Sequence, residues 1–147
     1  MPSSRLPVRS AALASVFLLP GCLGLDVAPG FQLRQSIVAE GMALPESVQV
    51  FSRNGTIGIA GQIVGKLPCD MLGGEVKESG KDLRIIITLD AEQNYCNGIA
   101  PTTFSFVASV VAIDPGSHNV VVEYHYKGTN GQNGVVADQL VSVGQAG

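Results

Sequence analysis

Short runs of alternating apolar and polar residues, separated by glycine and proline turns, constrain this chain most strongly. Leucine and isoleucine occupy every second position from Leu83 to Leu89, and apolar side chains do the same from Phe104 to Val110. A period of two marks one face of a β-strand, whereas a helix repeats every 3.6 residues or so. The pattern therefore predicts an all-β chain in which one face of each strand is buried.

The spacing of these runs predicts about seven strands. The expected strands cover residues 47–51, 56–64, 74–78, 82–90, 104–110, 118–126 and 135–143. Asn54-Gly55 separates the first two, and Asn-Gly between apolar runs is the strongest short signal for a hairpin. Many short strands without an amphipathic helix indicate an antiparallel β-sandwich of immunoglobulin-like type, with a small β-barrel as the alternative.

The first 21 residues have the composition of an export signal. Residues 1–10 contain Arg5 and Arg9 and no acidic residue, and residues 11–19 form an apolar run. This order is typical of a secretory leader, and the run is shorter than the roughly 20 residues that span a bilayer. We therefore expect residues 1–21 to be a signal peptide that is removed on export.

Leu19-Pro20-Gly21-Cys22 ends this leader. The tetrapeptide resembles the lipobox of bacterial lipoproteins, and the resemblance implies that Cys22 is lipidated and anchors the chain to a membrane. In that group an Asp after the lipidated Cys resembles an inner-membrane retention signal. Leu23 stands there instead, so we expect the outer membrane, with the chain facing the periplasm. Residues 22–45 lack a clear period, apart from one short element near 35–40, and are assigned to a tether; residues 46–147 are assigned to the sandwich.

The chain has three cysteines. Lipidation of Cys22 leaves Cys69 and Cys96, which an oxidising compartment favours as a disulfide. Cys69 lies in the loop before the expected strand 74–78, and Cys96 lies in the loop after the expected strand 82–90. Because these two strands form a hairpin, one runs up and the other down, and the two loops should lie at the same end of the domain. A metal site is disfavoured because two isolated thiols cannot complete a tetrahedral shell.

The region around both cysteines also resembles small exported bacterial sandwich domains. Those carry a Pro-Cys, here Pro68-Cys69, a second Cys some 25–30 residues on, and a late Pro-Gly-x-Tyr-x-Val-x-Val strand. Here that strand begins at Pro115-Gly116, and His118 replaces the tyrosine. The resemblance covers roughly residues 48–126 and implies a fold, not an activity.

Charge and motifs exclude several functions. After the leader, seven basic and twelve acidic residues remain, a formal charge of −5, so a nucleic-acid partner is not expected.

His118 and His125 are seven residues apart, so they should face opposite sides of one strand. Glu123 and His125 share the outer face, an arrangement that is common without function. No nucleophile elbow or phosphate-binding glycine loop is present in the sequence, so we expect no enzyme activity and no cofactor.

Asp90, Glu92 and Asn94 are weak candidates for a calcium site. Their alternation resembles the start of an EF-hand loop, but Tyr95 stands at the sixth position and Pro101 at the twelfth, where Gly and Glu are needed. The sequence therefore favours a membrane-anchored extracytoplasmic lipoprotein that is a non-catalytic structural or protein-interaction module of the cell envelope. A small-ligand or ion-binding β-sandwich domain is the alternative.

Overall fold

The computed structural model describes residues 30–92, 96–111 and 113–145, which form two four-stranded sheets packed face to face. The eight strands are β1 Phe31–Glu40, β2 Ser47–Arg53, β3 Thr56–Gly65, β4 Met71–Ser79, β5 Asp82–Asp90, β6 Thr102–Val110, β7 Gly116–Lys127 and β8 Gly134–Val143. Two separate sheets, and not one closed sheet, confirm the predicted β-sandwich.

The strand order is β1-β6-β3-β2 in sheet 1 and β4-β5-β7-β8 in sheet 2. All neighbours are antiparallel except β5 and β7, which run parallel, so the expected fully antiparallel arrangement is wrong for this pair. The cause is the path of the chain. After β5 it crosses to sheet 1, forms β6, and returns to sheet 2 as β7 beside β5.

The sandwich begins earlier than the sequence predicted. β1 lies in the segment assigned to the tether and pairs with β6 from Phe31 to Glu40. The short element expected near 35–40 is therefore present but longer, and the expected boundary at residue 46 is too late. Two features hide this strand in the sequence. The polar residue Gln35 lies on the half-buried face of the strand, which it shares with Phe31 and Leu33. The register of the pairing also shifts between Ile37 and Ala39.

The predicted inner faces form the core. Leu83, Ile85, Ile87 and Leu89 from β5 meet the aromatic and aliphatic residues of β6. The Asn54-Gly55 hairpin is also confirmed, and both residues have positive φ angles of 49° and 73°, as a type I′ turn requires. Period-two patterning thus located the core strands correctly.

Phe106 and Tyr124 join the two sheets at the centre. Their ring centroids lie 5.9 Å apart in an edge-on arrangement, and the Tyr124 hydroxyl donates a hydrogen bond to the Ser47 carbonyl at 2.7 Å. Burial, with a smaller contribution from Glu46, raises the pKa of Tyr124 far above its ordinary value. The hydroxyl therefore stays protonated and remains a donor to Ser47.

The open rims of the sandwich are bridged by side chains. At one rim, the Gln35 amide of β1 donates to the Asp70 carbonyl at 2.9 Å and accepts from the Leu72 amide of β4 at 2.7 Å. At the other rim, Gln139 and Ser142 of β8 bond with Val50 and Ser52 of β2. Side-chain hydrogen bonds thus link β1 to β4 and β2 to β8, although these strands belong to different sheets.

The two ends of the sandwich differ in their loops. We call the end with residues 41–46, 66–70, 91–92, 96–101 and 128–133 the disulfide pole. The opposite pole holds the start of β1, the turns at residues 54–55 and 80–81, and the loop before β7.

Gly61→Ala should lower the free energy of unfolding by about 1–3 kcal/mol, because the new methyl group overpacks the centre. A Cβ at Gly61 would lie 2.6 Å from the Ser47 carbonyl oxygen and 2.8 Å from the Phe106 ring. Gly73→Ala is the matched control, since a Cβ there meets no atom within 4 Å. Urea denaturation measures both; equal stability of the two variants would contradict this account of Gly61.

Candidate docking surface at the disulfide pole

Cys69 and Cys96 form the predicted disulfide, with Cα atoms 6.0 Å apart. One lies in the loop before β4 and the other in the loop after β5, and both loops are at the disulfide pole. The expectation that hairpin-related strands place them together is therefore confirmed. The disulfide fixes the loop after β5 to the loop that precedes β4.

The crossing segment 41–46 is braced against the same loop. The Gly41 amide donates to the carbonyls of Ile99 at 3.2 Å and Pro101 at 2.8 Å. The hydroxyl of fully buried Thr103 donates to the Met42 carbonyl and accepts from the Leu44 amide. Backbone groups of an irregular segment are thereby satisfied, which holds the segment in one conformation.

Asp70 stabilises the turn that carries Cys69. Its carboxylate is buried, and one oxygen accepts the backbone amides of Lys66 at 2.6 Å and Leu67 at 3.0 Å. The other oxygen meets no hydrogen-bond partner among the described residues. The carboxylate therefore acts mainly through its first oxygen, as a local cap.

Five large apolar side chains are exposed at this end on β1, β4, the segment 41–46 and the loop before β6, and we call them the apolar tip. They are Ile37, Val38, Met42, Met71 and Ile99, which are 48%, 46%, 57%, 60% and 65% exposed. The register shift in β1 falls at the first two, and such irregularities at sheet edges re-aim side chains. Exposed apolar groups gathered at one end of a small domain are typical of a docking surface.

Both methionines of the described residues belong to the apolar tip. Methionine is among the residue types most often buried, and its flexible thioether suits surfaces that adapt to a partner. Their backbones are held through Thr103 at Met42 and through the Gln35–Leu72 bond beside Met71. The tip thus combines adaptable side chains with a fixed frame.

The histidines lie on opposite faces, as their spacing predicts. His118 is buried and its Nε2 donates to the Asp114 carbonyl at 2.6 Å, while Nδ1 has no partner among the described residues. His125 lies on the outer face of sheet 2, where it bonds Glu123 at 2.9 Å. Arg84 contacts the other oxygen of Glu123 at 3.1 Å, and such half-exposed ion pairs contribute less than about 1 kcal/mol.

A shallow groove of about 520 Å³ lies beside this ion network. Gly73 of β4, where a Cβ would meet no atom within 4 Å, leaves its floor low, and Ile86 of the neighbouring strand β5 also lines it. His125 and Lys127 form one wall of the groove. Glu75 and Asp90 line the groove together with Lys127. Because side chains of both charges are present, the groove favours neither anionic nor cationic ligands.

The calcium site at Asp90, Glu92 and Asn94 and the lipidation of Cys22 both remain predictions. Asp90 Oδ1 accepts the Glu92 amide at 3.1 Å, a local turn at the end of β5. Asn94, the third member of the calcium candidate, lies outside the described residues, as does Cys22. Within the described ranges no group of three or more His, Cys, Asp or Glu side chains is placed to hold a metal ion.

No family model, curated protein or solved structure matches this chain. Among the described residues there is no helix long and apolar enough to cross a membrane.

Sequence reasoning missed the apolar tip because its residues lie in segments without a period. Ile37, Val38 and Met42 fall in the segment assigned to the tether, and Ile99 falls in the loop between β5 and β6, beside Gly98. A usable signal existed for two of them, since Met42 stands between Gly41 and Pro45 and Ile99 stands between Gly98 and Pro101, where no strand is available to bury them.

The double change Cys69→Ala, Cys96→Ala should lower the free energy of unfolding by about 2–5 kcal/mol, since it frees a loop closed over a sequence separation of 27. Ser36→Ala with Ser105→Ala is the matched control. It removes one exposed bond of 2.8 Å between β1 and β6 and should cost less than about 1.5 kcal/mol. Denaturant titration of both proteins decides, and a disulfide variant as stable as its control would refute the prediction.

Proposed function

We propose that this chain is a lipoprotein of the bacterial cell envelope, anchored through Cys22, whose sandwich is a non-catalytic module that docks on a partner protein. The apolar tip carries the proposal. Its five exposed side chains lie on segments fixed by the disulfide and by the bonds of Gly41 and Thr103. A fixed frame favours binding because little conformational entropy is lost on association.

The anchor rests on the leader and on compatible chemistry elsewhere. The basic and apolar segments, followed by Leu19-Pro20-Gly21-Cys22, support lipidation. The Cys69–Cys96 disulfide is compatible with an oxidising compartment outside the cytoplasm. Leu23 supports sorting to the outer membrane, with the sandwich facing the periplasm.

Cys22→Ser should abolish incorporation of a labelled fatty acid and leave the longer precursor in cells. Cys69→Ala is the control, because it removes a thiol but not the proposed acceptor. Metabolic labelling followed by density-gradient fractionation reports lipidation and location together. Equal labelling of the Cys22 variant, or wild-type protein found only with inner-membrane markers, would contradict the respective part of the proposal.

A photo-crosslinking amino acid at Ile99 should give a discrete adduct with another protein in intact cells. The same amino acid at Leu140 is the matched control, because Leu140 is more exposed, at 72%, but lies on the outer strand of sheet 2 away from the tip. The expected result is an adduct from Ile99 alone. The same products from both positions, or none from Ile99, would rule out the tip as the docking surface.

A further inference from the structure

The charges of the two poles differ. At or beyond the strand ends, the disulfide pole carries Glu40, Glu46, Asp90, Glu92 and the buried Asp70 against Lys66 and Lys127, a formal charge of −3 within the described residues. The opposite pole carries Arg53 and Lys81 against Asp82 and Asp114, which sum to zero. The apolar tip is therefore surrounded by a net negative rim.

The chain enters the sandwich at the opposite pole. β1 begins at Phe31 beside the end of β6 at Val110, and it runs ten residues to Glu40 at the disulfide pole. At about 3.3 Å per residue, the ten steps from Gly30 to Glu40 cover roughly 33 Å. Eight steps separate Cys22 from Gly30, and fully extended they cover at most about 29 Å.

These lengths limit how the domain can stand on a membrane, given the lipid anchor of the proposed function. Pressing the apolar tip end-on against the anchoring bilayer would require Gly30 to stand roughly 33 Å above it, the length from Gly30 to Glu40. Residues 22–30 are too short for that, even when fully extended. An anionic bilayer surface would also repel the negative rim within a Debye length of roughly 8–10 Å.

A second copy of this chain is a poor occupant for the same electrostatic reason. Two tips brought together would place two rims of formal charge −3 side by side, and like charges across an interface are destabilising.

We infer that the occupant of the apolar tip is a protein with an apolar socket edged by lysine or arginine, held on the side away from the anchoring membrane. This inference rests on the proposed function and adds the partner's chemistry and its position. Ile37, Val38, Met42, Met71 and Ile99 fill the socket, and Glu92 and its acidic neighbours meet the basic edge. Opposite charges at a rim mainly accelerate association and fix orientation.

The partner's charge is tested with the Ile99 crosslinker in the full-length protein. Glu92→Lys should reduce the adduct severalfold at low salt, because it reverses one exposed rim charge. Asp138→Lys makes the same change on β8, away from the tip, and should leave the yield unchanged. Mass spectrometry of the adduct should find lysine or arginine near the linked residue. An unchanged yield with Glu92→Lys, an adduct with lipid, or an adduct with a second copy of the chain would overturn the inference.

The orientation is tested with lipidated protein on vesicles of phosphatidylethanolamine and phosphatidylglycerol that contain a spin-labelled quencher lipid. A fluorescent amino acid at Arg53, at the opposite pole, should be quenched, whereas the same probe at Met42 should not. Quenching at Met42 would overturn the orientation while leaving the lipid anchor intact. Failure of the wild-type protein to carry lipid would instead remove the anchor, and with it both proposals.

Discussion

The contact between Phe106 and Tyr124 is the interaction on which the rest of the structure depends. It joins β6 of sheet 1 to β7 of sheet 2, and edge-on aromatic pairs contribute about 0.5–1.5 kcal/mol beyond their burial. Tyr124 then reaches Ser47 across the position of Gly61, which has no side chain to block it. Because Ser47 begins β2, the core directly fixes one end of the crossing segment that carries Met42.

The other end of that segment is fixed independently. Gly41 donates to Ile99 and Pro101, and its positive φ of 78° lets the chain turn close to the Ile99 side chain. Residues 41–46 are thus clamped by the core at one end and by the disulfide-bound loop at the other. Tyr126 adds a bond of 2.6 Å to Glu46 within the segment. The tip is therefore an extension of the core and not a free loop.

Strand patterning was predictable from sequence where each strand buries one whole face. β5 and β6 were located correctly because their inner positions are all apolar. β1 was not located, because the side-chain amide of Gln35 hydrogen-bonds the opposite sheet from a position where the pattern expects an apolar residue. The register of β1 also shifts near Ile37. The parallel pairing of β5 with β7 was also missed, since alternation in a strand carries no information about its neighbours. Counting cysteines found the disulfide, whereas the exposed residues of the tip follow no period.

The bridged rims bear on how densely such a domain can be packed. Open edge strands present rows of backbone groups on which a neighbouring chain can add a strand. Here Gln35, Gln139 and Ser52 tie the edge strands of one sheet to those of the other, so a neighbour would have to break these bonds before it could add a strand. With the lipid anchor proposed for Cys22, the chains would be confined to two dimensions, where they meet their neighbours side by side far more often than in solution. Rims closed in this way resist strand-by-strand polymerisation under that crowding.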